Sequence, residues 1–174
     1  MGLISELQYE VKDANAVQRI TQKVAASRPG AWFFQRTLYP IDKGLFRLTS
    51  GRLTVPGLMA GLPVIMLTTT GAKTGKNRTM PLLAIVPMDH DMAVIGSNYG
   101  QRPTPGWVYN LRANPEATVT HGSQSVEVTA RSATDAETEQ AFEAGAAFYG
   151  GFPEYRERAS HREIEVFVLE PRPT

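Results

Sequence analysis

Three strand-forming runs joined by very short connections constrain this chain more than any other feature. Pro63 to Thr70 (PVIMLTTT) and Arg78 to Met88 (RTMPLLAIVPM) are rich in β-branched and apolar residues, and Gly71 to Asn77 is a glycine-bearing turn between them. Asp89-His90-Asp91 turns the second run into a third, Met92 to Gly96. Connections this short favour antiparallel pairing, because a parallel crossover takes roughly a dozen residues or more. The strand–helix–strand rhythm is missing, and so is G-x-G-x-x-G after the first strand, which speaks against a doubly wound parallel sheet.

The rest of the chain adds helices around this β unit. Asp13 caps a helix over residues 13–26, and Arg28-Pro29-Gly30 breaks it. Residues 31–49 carry Phe34, Leu38, Ile41, Leu45 and Leu48 at helical spacing, with Pro40 predicting a kink or two short helices. Ser50 to Gly61 reads as loop. Pro105 to Arg112 is a short helix with Thr104 as N-cap and Pro105 at its first position. Ala117 to His121 and Ser125 to Arg131 form a hairpin around Gly122-Ser123-Gln124. Thr134 or Asp135 caps a helix to about Tyr149, Gly150-Gly151 breaks it, Pro153 to Ala159 adds a turn, and Ile164 to Leu169 is a last strand. The expected fold is α+β: a barrel of about six mainly antiparallel strands with helices outside. Its 174 residues form one expected domain, 1–174, with residues 1–29 as an N-terminal helical extension.

Composition narrows the function classes. A formal net charge of +1 supplies no global field toward nucleic acid or anionic lipid, so electrostatic recognition has to be local. The chain has no cysteine, which removes disulfides, thiolate metal sites and thiol catalysis and fits a reducing cytoplasm. The start, MGLISELQYEVKD, lacks a signal peptide's basic and apolar regions. His90, His121 and His161 lack paired ligand spacing, so no metal site is expected. G-x-S-x-G is absent.

Two segments carry chemistry. Gly71-Ala72-Lys73-Thr74-Gly75-Lys76-Asn77-Arg78 packs three cations into six residues, and no acid occurs between Leu53 and Met88. Lys73, Lys76 and Arg78 either surround a phosphate or form a solvated basic hairpin. The spacing is one residue short of a Walker A loop, and no aromatics interleave as single-strand nucleic-acid binding requires. The second segment is Gly96-Ser97-Asn98-Tyr99-Gly100 followed by Pro105 to Pro115, a polar loop feeding a helix N-terminus whose free N–H groups suit an anion or an electron-rich ring edge. Trp107 packs there against a cofactor or in the core. Asn110 and Asn114, one turn apart, cap and pin the loop or touch a ligand.

G-x-K-T-G-x-x-R-x-x-P-L (Gly71 to Leu82), then P-x-W-x-x-N-L-x-A-N-P (Pro105 to Pro115), then Arg162 to Pro171 at the end, resembles the deazaflavin (F420)-dependent nitroreductase family from about residue 30 onward. The resemblance implies a split β-barrel and an F420H2-dependent oxidoreductase acting on a quinone, nitro or other conjugated acceptor. It implies that Lys73, Lys76 and Arg78 lie near the cofactor's phosphate and oligoglutamate tail, and that Thr74, Pro81 and Asn110 also bind the cofactor. Ser97, Asn98, Tyr99, Gly100 and Trp107 then lie near the deazaflavin ring. It implies a substrate pocket of Trp107, Tyr149, Phe152 and Tyr155, with the Tyr155 hydroxyl donating to the acceptor. Phe152 and Arg158 stand where some relatives carry tyrosine, which speaks against bicyclic nitroimidazoles. Two other readings stay open: an FMN-dependent oxidoreductase on the same barrel, and a non-catalytic module holding F420 or a tetrapyrrole. The partner is a small molecule, the chain a monomer or homodimer, and the expected location cytoplasmic. Segment 31–49 either packs on the barrel or rests weakly on the inner face of the membrane.

Overall fold

A computed structural model describes residues 2–9, 64–86 and 92–172. The helices expected over 13–26 and 31–49, the loop 50–61, the membrane-surface segment and the 89–91 turn lie outside the described residues. Six antiparallel strands form one sheet in the order β2-β1-β4-β5-β6-β3. These are β1 (Val64–Thr70), β2 (Asn77–Leu83), β3 (Met92–Ile95), β4 (Glu116–His121), β5 (Gln124–Ser132) and β6 (Val166–Pro171). Helix α1 is Leu3–Glu6, α2 Gly106–Ala113, α3 Asp135–Phe148 and α4 Gly151–Arg158.

The second strand is shorter than its apolar run. It leaves β1 at Leu83, and Ile85 instead pairs with Ala93 of β3 through two backbone bonds of 2.8 and 2.7 Å. That switch of partner ties the two edges of the curled sheet together, so a run that reads as one strand is bent at Ala84. Pro81 is tolerated because β2 is an edge of the sheet, where a missing N–H can face away from the neighbouring strand. The Tyr9 hydroxyl donates to the Ala84 carbonyl (2.7 Å). Left unpaired, a buried carbonyl costs about 1–3 kcal/mol. Helix α1 lies in the expected N-terminal helical extension, and Leu3 and Leu7 are wholly buried in the core.

Buried side chains divide into two groups. Inside the sheet lie Ile65, Leu67, Met92, Val94, Phe167 and Leu169, joined by Leu3, Leu7 and Tyr9 at the N-terminus and by Trp107, Val108 and Leu111 of α2. Ala93, Ile95 and Val166 face the other way, under Phe142 of α3 and Tyr149, Phe152 and Tyr155 of α4 and the turn before it. Strand β3 is therefore buried on both faces, which is why it reads as an unbroken apolar run.

Helix α3 starts with a capping box. Thr134 rather than Asp135 is the N-cap: its Oγ1 accepts from the Glu137 N–H, and Glu137 accepts from the Thr134 N–H (2.7 Å). Arg131 on β5 donates two bonds to Glu137 and one to Glu170 of β6. The Arg131 guanidinium first, then the Thr134 N–H, lower the Glu137 pKa to about 2 from its ordinary 4.5. The fold favours the ionised form, so this stabilisation is complete above about pH 5 and is lost as the pH falls toward 2. Glu137→Gln is expected to flatten the acid limb of a Tm-against-pH profile in that window. An acid limb identical to the wild type's would show that the pair contributes nothing.

Two boundaries differ from expectation. Thr104 does not cap α2: Pro105 stands at the N-cap in an extended conformation, with no side-chain cap bond. The last strand begins at Val166 rather than Ile164: the Gly96 N–H still bonds the Glu165 carbonyl (2.8 Å) in the β3–β6 register, whereas Ile164 packs under the helices.

Candidate functional site

The cation loop is a tight turn closing the β1–β2 hairpin. The Gly71 N–H donates to the Lys76 carbonyl (2.9 Å), and the Thr74 and Gly75 N–H groups donate to the Gly71 carbonyl. A side chain at Gly71 would put its Cβ 2.8 Å from Thr74 Oγ1 and 3.0 Å from the Lys76 carbonyl oxygen, so the tight turn would have to shift to admit one. Lys73, Thr74, Lys76 and Arg78 are all exposed, and among the described residues none of the three cations has an ion-pair partner. Pro81 lies farther along β2, half-buried opposite Met66.

Asn110 on α2 fastens this turn. Its Oδ1 accepts from the Ala72 N–H (3.0 Å), and its Nδ2 donates to Thr69 Oγ1 (3.0 Å). Both side-chain functions are thereby engaged in pinning. The same helix reaches the second loop and the last strand. Val108 packs so closely on Gly96 that a Cβ there would stand 3.0 Å from its Cγ2, and Arg112 makes a two-bond pair with Glu165. Thr69 and Ser97 are the two buried polar residues among those described; Thr69 lies at the end of β1 before the cation loop, and Ser97 in the loop after β3.

The 96–101 loop is held from the C-terminal side. Arg162 Nη2 donates to the carbonyls of Gly96 (3.1 Å) and Ser97 (2.9 Å), and its Nε donates to that of Gln101 (3.3 Å). Burial lowers the Arg162 pKa from its ordinary value. Asn98 Nδ2 donates to the Pro103 carbonyl, and Asn114 Oδ1 accepts from the Glu116 N–H, so both asparagines brace loops. Tyr99 is 38% exposed and rests edge-on against Tyr155 at 5.9 Å.

The aromatic residues fall in two buried groups. Trp107 is 3% exposed and packs on Phe167 inside the sheet, whereas Tyr149, Phe152 and Tyr155 belong to the group beneath α3 and α4. The Tyr149 and Tyr155 hydroxyls are hydrogen-bonded to each other (2.7 Å) and buried, and burial pushes both phenols above their ordinary range. Gly151 lies against the Tyr149 ring, where a Cβ would approach within 2.5 Å. The sequence reading missed the roles of Arg162 and Arg112. A lone arginine ahead of a strand carries no local signal for either.

Among the described residues no group of His, Asp or Glu side chains stands together as a metal site, and no helix is long and apolar enough to cross a membrane.

The comparisons with known proteins agree with this architecture. An F420H(2)-dependent quinone reductase of Mycobacterium tuberculosis is 36% identical over 97 residues, 54% of this chain; this chain spans 62% of that protein's length. A second, provisionally named F420H(2)-dependent quinone reductase of the same organism is 30% identical over 116 residues, 67% of this chain and 96% of its own length. A solved F420-H2 dependent reductase shares 33% identity at a TM-score of 0.56, over 62% of this chain and 94% of that one. A solved domain-swapped dimer shares 29% identity at a TM-score of 0.58, over 82% and 99% of the two chains. The family model of the F420H(2)-dependent quinone reductases matches residues 43–171, and the chain belongs to that family.

Proposed function

We propose that this chain is an F420H2-dependent quinone reductase that binds reduced F420 along the cation loop and the 96–101 loop. The observation that carries the reading is the set Lys73, Lys76 and Arg78. These are three exposed cations without ion-pair partners among the described residues, on a turn and the start of β2, the turn fastened by Asn110 to the helix that packs on Gly96. Such a donor set suits a long polyanionic tail, and its charge-assisted bonds recognise phosphate and carboxylate oxygens. Bound F420H2 supplies the hydride from its deazaflavin ring. The protein binds, orients and excludes water, which asks for no catalytic acid–base dyad.

In this reading Ser97, Asn98, Tyr99 and Gly100 border the ring, and Trp107 supports their neighbourhood from inside the sheet. Tyr149, Phe152 and Tyr155 back the exposed Tyr99 ring. The buried bond to Tyr149 makes Tyr155 a support for Tyr99 more readily than a donor to the acceptor. A flat, apolar quinone matches the exposed face of Tyr99.

Fluorescence titrations of F420 and FMN in one buffer, followed by F420H2 oxidation with a soluble benzoquinone, test the proposal. F420 is expected to bind more tightly than FMN, whose anionic tail is shorter. Equal or reversed affinities favour the FMN reading, and tight F420 binding without oxidation favours a carrier.

A further inference from the structure

Three consecutive residues of the 96–101 loop are left-handed: Asn98 (φ 47°), Tyr99 (φ 55°) and Gly100 (φ 75°). Only the last is a glycine, so the surroundings must impose this conformation on the other two. The carbonyls that Arg162 grips, those of Gly96, Ser97 and Gln101, bracket the left-handed run on both sides. None of the described ion pairs includes Arg162, so its donors serve the backbone.

The orientation of the Ser97 carbonyl has a consequence on the far side of the loop. In a trans peptide the C=O and N–H point in opposite directions, and no cis bond is present among the described residues. Turning the Ser97 carbonyl toward Arg162 therefore turns the Asn98 N–H away from it. That N–H makes no hydrogen bond among the described residues and is followed directly by Tyr99.

We propose that Arg162 is the positioning residue of this site: its guanidinium fork sets the left-handed run and thereby aims the Asn98 N–H at the electron-rich edge of the bound ring. The identity of that ring rests on the F420 reading; the hold on the loop does not. A lysine presents one compact ammonium and cannot reproduce a planar fork that reaches the Gly96, Ser97 and Gln101 carbonyls as well as that of Glu163, so Arg162→Lys separates geometry from charge.

The test pairs amide hydrogen exchange on the F420-free protein with F420 titrations for the wild type, Arg162→Lys and Arg162→Gln. In Arg162→Gln the Gly100 and Gln101 amides, bonded to Ser97 and Asn98 carbonyls at 2.9 and 3.0 Å, are expected to exchange about 2- to 10-fold faster, with the β4–β5 ladder unchanged. F420 binding is expected to weaken by about 2- to 10-fold, the worth of one misaimed donor, with the same salt dependence as the wild type because the cation loop is intact. Arg162→Lys is expected to fall between wild type and Arg162→Gln in both readouts. Unchanged exchange at Gly100 and Gln101 would overturn the proposal. So would acceleration spread equally over β4 and β5, or a lysine variant matching the wild type. If the wild type fails to bind F420, the cofactor reading falls and the exchange data alone decide the role of Arg162.

Discussion

Replacing Lys76 or Arg78 with alanine is expected to weaken F420 binding by roughly 10- to 150-fold each, the equivalent of one lost charge-assisted contact of about 1.5–3 kcal/mol. Both side chains are exposed and have no ion pair among the described residues, so their removal strands no partner charge. The thermal melt should therefore stay close to that of the wild type. The turn beneath them is held by its own backbone bonds and by Asn110, so the remaining cations keep their places. Raised ionic strength should weaken the wild type for the same reason, since exposed charges are screened beyond about 10 Å at 0.1 M salt. Fluorescence titration at two salt concentrations measures both effects. Affinity unchanged in both variants would mean the loop is a solvated basic hairpin.

Gly100→Ala should be the most disruptive small substitution near the site. Gly100 has φ +75°, and a Cβ there would stand 2.8 Å from the Arg158 Cβ and 3.1 Å from the Tyr155 Cα. These atoms belong to or adjoin the α4 backbone, so the loop or the helix must move. A left-handed alanine costs about 1–2 kcal/mol and overpacking a further 1–3, for a total of roughly 2–5 kcal/mol. In a protein of this size that lowers Tm by about 4–20 °C. Gly75→Ala is the control: its φ is +65° but no atom lies within 4 Å of the added Cβ. It should carry only the backbone term. Thermal melts of the two variants decide the matter, and a Gly100→Ala protein no less stable than Gly75→Ala would refute the close approach of α4 to the loop. Because α4 carries Tyr155 against Tyr99, loss of quinone turnover should accompany the lower Tm.

What the sequence determined by itself is local. Short glycine-bearing connections imposed antiparallel pairing, Thr134 and Glu137 set the start of α3, and Gly71 and Gly75 shaped the turn that carries Lys73 and Lys76 and leads into Arg78. Each depends on residues a few positions apart, where backbone sterics and hydrogen bonding act without the rest of the chain. The tertiary structure decided what those pieces meet. Asn110 pins a turn 38 residues earlier, Arg162 grips carbonyls 61 to 66 residues away, and Tyr9 reaches a carbonyl 75 residues on. The switch of Ile85 from β1 to β3 and the separation of Trp107 from the three C-terminal aromatics are of the same kind. An apolar run or a lone arginine states that it will be buried or bonded. Only the curvature of the curled sheet, which brings distant segments together, determines which carbonyl or which ring it finds.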